Sequence, residues 1–150
     1  DRILSYSNEK VIEAFCKNYS VSTKEAEDVF LQLMKWFLFC TDSRTENYRN
    51  IDDATLIIDE MWHTFILFTP DYFKFCEEHF GYYVHHMPST NEMLKEQRKQ
   101  TIEQVETRKR KQYELVYDVL GKDTFVQWYH VYPEKYSIKV LRELKIIVFI

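Results

Sequence analysis

Two glycines and three prolines are all that interrupt 150 residues, and this scarcity of chain breakers constrains the fold more than any other feature. Turns and hairpins draw on Gly and Pro for their backbone geometry, so strand-rich chains need many of them. Helix interiors exclude both. Eleven Tyr and eleven Phe supply bulky side chains for a core between helices. The expectation is an all-α fold: one domain over residues 1–150, a compact bundle of about six helices with a buried third helix at its centre. A chain of this length can bury about 70% of its unfolded surface, so its stability requires neither disulfide nor metal.

The charge balance removes some function classes. A net charge of −4, spread along the chain, gives no general attraction to nucleic acid or to a membrane surface. Cys16, Cys40 and Cys76 form no Cys-x-x-Cys pair, and three is an odd number, which points to a reducing, cytoplasmic setting. No apolar run reaches the roughly 18 residues of a membrane span. The first seven residues lack the regions of a signal peptide. The apolar stretch 146–150 reads as a packed end, or as a cut through a longer chain.

Apolar spacing predicts a first helix over about 8–18 and a second from Ser22 to about Cys40, where Ser22 and Glu25 make a capping box. The third covers about 53–68 and is apolar on most faces. Thr69 as cap, Pro70 at the first helical position and Asp71 near the positive end of the dipole start a fourth. Gly81 ends it in a left-handed cap, and 82–88 is extended before Pro88. Ser89 with Glu92 is read as the capping box of one long helix, about 90–120, stopped by Gly121. Asp123 or Thr124 opens another, which Pro133 restarts or bends, and the tail from Ser137 is ambiguous.

The chemistry-bearing residues gather between 59 and 86. Asp59 and His63 are four apart and share a helical face. On a buried helix such a pair is either a hydrogen bond that orders the core or the start of a metal site. Cys76, on the fourth helix, and His86, beyond Gly81, converge on the same region; His86 is preferred to His85 because it is nearer the Pro88 anchor. Carboxylate, imidazole and thiolate suit zinc or another transition metal, with Asp59, His63, Cys76 and His86 as candidate ligands. The spacing matches no standard zinc motif, and Cys76 is equally a small buried hydrophobe. A Cys–His–Asp nucleophile is the weakest reading, because no Gly-rich turn offers an oxyanion hole. The basic residues of 95–111 alternate with acids and read as a solvated helix face rather than a nucleic-acid site.

The run Asp59-Glu60-Met61-Trp62-His63-Thr64-Phe65-Ile66-Leu67-Phe68-Thr69, followed by Tyr72, Phe75-Cys76, Gly81 and His85-His86-Met87-Pro88, resembles the glycine-rich domain-containing protein-like family in its bacterial and phage-type members. Tyr113, Gly121, Trp128 and Tyr129 extend the likeness, which is strongest over 51–88. Phe65 stands where plant members carry a second His in a Trp-His-x-His pattern, and the glycine-rich region is absent. The resemblance implies a stand-alone helical domain whose structural motif is Trp62, Thr69, Pro70, Tyr72, Gly81, His85 and Pro88; it implies no particular activity. The leading expectation is a protein-interaction or regulatory module whose Asp/His/Cys/His cluster is structural. A transition-metal domain is the alternative, and a cysteine- or metal-dependent enzyme the third reading. The expected partner is another protein, with neither nucleic acid nor membrane; oligomeric state stays open.

Overall fold

Two apolar helices form the centre of the molecule, and the remaining elements wrap them. The computed structural model describes residues 2–147, and among these every regular element is helical. The chain runs α1 (Arg2–Ser5), α2 (Glu9–Asn18), α3 (Thr23–Thr41), α4 (Leu56–Leu67), α5 (Thr69–Phe80), α6 (Asn91–Arg98), α7 (Ile102–Leu120), α8 (Lys122–Val126), a π turn (Gln127–Val131), α9 (Tyr132–Lys135) and α10 (Ile138–Leu144). Single-turn 3-10 segments sit at Ser43–Thr45 and Asp53–Thr55. No helix among the described residues is long and apolar enough to cross a membrane. The apolar end at 148–150 lies outside the described residues.

The bundle is all-α, as the lack of breakers requires, with two shifts of emphasis. First, α3 shares the centre with α4. It packs on α1, α2, α4 and α7, and Leu33, Met34, Trp36, Phe37 and Phe39 are all buried along it. The third predicted helix, α4, buries Ile57, Ile58, Met61, Trp62 and Phe65 but leaves an open edge at Asp59, His63 and Leu67. Second, there are more and shorter helices than expected. The segment 90–120 breaks at Lys99–Gln100, because Thr101 starts a helix of its own. Its hydroxyl accepts from the Gln104 amide at 3.1 Å, and the Gln104 side chain accepts from the Thr101 amide at 2.9 Å.

Other caps sort similarly. Ser22 accepts from the Glu25 amide at 3.1 Å. Thr90, not Ser89, caps α6 through the Met93 amide. Thr69 does not cap α5: it is the first helical residue, and no side chain caps that end. The turn instead follows from Pro70 in the first turn, with Phe68 alone between α4 and α5. Ser137 caps α10, so the ambiguous tail is helical. Its end returns to the start of the fold: an antiparallel bridge joins Tyr19 to Lys145. The π turn places Trp128 inside, where its Nε1–H donates to Gln32 Oε1 at 2.9 Å.

Candidate metal centre

The site is assembled by α4, α5 and the extended segment after Gly81. Gly81 takes φ +74°, and its amide donates to the Cys76 and Glu77 carbonyls, which closes α5. That left-handed residue turns the chain back across α4. Tyr72 fixes where it lands. This buried phenol accepts from Trp62 Nε1–H at 3.0 Å and donates to the Val84 carbonyl. Burial pushes the Tyr72 hydroxyl well above the usual phenol range, so it stays a protonated donor. With Val84 held, His86 lies flat on Trp62, ring centroids 4.0 Å apart and planes 18° apart.

His86 thereby meets Asp59 and His63 on the open edge of α4. His86 Nε2 stands 2.7 Å from Asp59 Oδ1 and 2.9 Å from His63 Nε2. His63 Nε2 is 3.5 Å from Asp59 Oδ2. Asp59 and His86 are largely covered, and the His63 side chain is half exposed. The sequence places the pair on a buried face; the structure puts it at the rim, where α4 faces solvent rather than α3.

The proton count of this cluster is informative. A neutral imidazole nitrogen carries either one N–H or one lone pair, and a carboxylate only accepts. His86 Nε2 therefore has at most one proton to offer, while two acceptor positions lie within 3 Å of it. Each neutral ring also has an N–H of its own to place, so the His63–His86 contact depends on the tautomer of each. A cation would take a lone pair from both rings and from the carboxylate at once. Ligand atoms bound at about 2.1 Å with angles of 90–110° stand about 2.9–3.4 Å apart. The two imidazole nitrogens stand 2.9 Å apart, Asp59 Oδ1 is 2.7 Å from His86 and Oδ2 is 3.5 Å from His63, so one ligand atom from each residue lies within 4.8 Å of the others.

Cys76 does not join them. The three converging residues are Asp59, His63 and His86, whereas the buried Cys76 thiol neighbours the Tyr72 hydroxyl and the Val84 backbone, and burial raises its pKa. Its position on α5 faces the core, not the rim. A Cys76–His–Asp nucleophile is absent for the same reason. His85 turns away and packs edge-on against Tyr83. Two residues not singled out from sequence support the centre. Glu60 Oε2 lies 3.9 Å from His63 Nδ1 and accepts from the Tyr19 hydroxyl at 2.8 Å. At 3.9 Å this is a charge contact rather than a hydrogen bond, and Glu60, three residues before His63, shares its helical face.

A family model matches residues 3–118, which takes in every residue of this centre. The chain belongs to the UCP032817-like family. This corrects the resemblance to the glycine-rich domain-containing protein-like family: a pattern strongest over 51–88 gives way to a match over 3–118. Membership names an uncharacterised family and carries no activity with it. No curated protein and no solved structure matches the chain. What the UCP032817-like fold offers chemically rests on the residues themselves.

Proposed function

We propose that Asp59, His63 and His86 bind a divalent transition-metal ion, with zinc as the reference case. The convergence of two imidazole nitrogens and a carboxylate at the rim of α4 carries this reading. The donor set, two imidazoles and one carboxylate, suits zinc and non-haem iron alike. Three protein ligands at a half-exposed rim leave room for a further ligand. That is the pattern of a reactive or ligand-binding centre rather than a closed structural one. Glu60, bonded by the Tyr19 hydroxyl, adds negative charge 3.9 Å from His63 Nδ1.

Isothermal titration of zinc into chelator-treated, untagged protein tests this. The expected result is one equivalent bound, with affinity lowered at least about 100-fold by His86→Ala and about tenfold or more by Asp59→Asn. Absence of saturable binding, or binding by both variants as tight as wild type, refutes it.

A second reading has an observation of its own. Helix α6 buries no side chain, and Met93, Leu94, Ile102 and Val105 are exposed along α6 and early α7. An amphipathic arm of this kind suits a protein partner. Ile102→Asp that leaves the melting temperature unchanged and removes a partner recovered with wild-type protein supports this reading; unchanged recovery counts against it.

A further inference from the structure

We propose that the cleft beside the triad binds a small organic oxyanion with an apolar body, its charged end held by Arg49. The cleft encloses about 800 Å³ and is lined by Arg49, Ile51, Trp62, His63, His86 and Met87, among others. That size, with apolar and polar side chains sharing the wall, suits a small amphiphilic molecule.

Arg49 is the decisive residue. Among the described residues it is the cleft's one Lys or Arg side chain. Its Nε–H donates to Thr45 Oγ1 at 3.0 Å and one Nη2–H to the Asp42 carbonyl at 3.3 Å. Both partners are neutral, so they fix the plane of the guanidinium without neutralising it. The nearby Asp42 carboxylate is held by Arg44, at 2.7 Å. Of the five N–H donors on a guanidinium, most remain free. A planar, oriented fork with N–H donors still to place is what bidentate recognition of a carboxylate or phosphate uses.

Trp36, Trp62, Phe80 and Met87 line the cleft with apolar surface against which a ring or chain can lie. The opposite charge in the cleft is Asp59, on the triad. The Arg49 site does not depend on a metal, but a divalent cation at the triad adds positive charge to the same cleft and strengthens anion binding.

The test uses chelator-treated protein, so that its outcome is independent of the metal reading. Phenylacetate, phenyl phosphate and neutral phenylacetamide share a ring and differ at the polar end. Titration followed by amide and side-chain NMR should show one of the two anions binding about tenfold or more tighter than the amide, with the Arg49 Nη–H resonances shifting only with the anion. Whichever anion binds tighter assigns the oxyanion. Arg49→Met should erase the preference; if that variant unfolds through loss of the Thr45 bond, the Arg49 resonance in wild-type protein still decides. Equal binding of anion and amide, no binding of either anion, or an unmoved Arg49 resonance overturns the proposal.

Discussion

Tyr72→Phe removes a single oxygen, and the structure says what that oxygen does. It accepts from Trp62 Nε1–H and donates to the Val84 carbonyl, and the Tyr72 side chain is fully buried. The ring and its packing on Phe37 and Phe65 survive the change. The buried indole N–H and the partly buried Val84 carbonyl then lose their partner. Each unsatisfied buried group costs about 1–3 kcal/mol, offset in part because the hydroxyl itself need no longer be desolvated. The net loss should be about 3 kcal/mol, or roughly 6–12 °C in melting temperature for a domain of this size. The same oxygen holds Val84, two residues before His86, so zinc affinity should fall as well, although no ligand is touched. Urea unfolding with tryptophan fluorescence gives the first number and zinc titration the second. A variant within about 0.5 kcal/mol of wild type, the scatter of neutral surface changes, would refute the claim that this phenol organises the strap.

Gly81→Ala meets no neighbouring atom but must adopt φ +74°, so backbone strain alone should cost about 1–2 kcal/mol; a melting temperature at or above wild type would contradict the left-handed cap. Glu60→Gln keeps an acceptor for Tyr19 and removes the charge behind His63, so zinc affinity should fall about tenfold or more with little change in melting temperature. Iodoacetamide at pH 8 should modify the half-exposed Cys16 first and leave buried Cys40 and Cys76 unmodified in the native state. Burial pushes the Cys40 thiol up to about 12. Its contribution to stability is therefore intact below the free thiol range near pH 8.5 and is lost as pH rises towards 12. Cys40→Ala should flatten that alkaline loss, and an unchanged profile would count against the burial.

Much of the fold was legible because it follows from local rules. The paucity of Gly and Pro forces helices, and the signals at Ser22, Pro70 and Gly81 bound α3 and α5 as their chemistry requires. The break at Lys99–Gln100 was missed for a nameable reason: Ser89 and Glu92 imitate a capping box, while the working one, Thr101 with Gln104, lies inside a periodic run. The pairing of Asp59 with His63, and the choice of His86 over His85, came from helix periodicity and the extended approach to Pro88. The placement of Cys76 did not, because which face α5 turns to the core depends on Tyr72 reaching Val84, a contact between segments. Arg49 was invisible for the same reason: its hydrogen bonds to Thr45 and the Asp42 carbonyl are contacts between side chains and turns that only three dimensions reveal.

X-ray absorption at the zinc edge, on zinc-loaded untagged protein, probes the centre itself. Two imidazole nitrogens and carboxylate or water oxygen at about 2.0–2.1 Å, with no sulfur near 2.3 Å, are what Asp59, His63 and His86 provide. A sulfur shell, or a hydrated ion with no imidazole scattering, would contradict the triad.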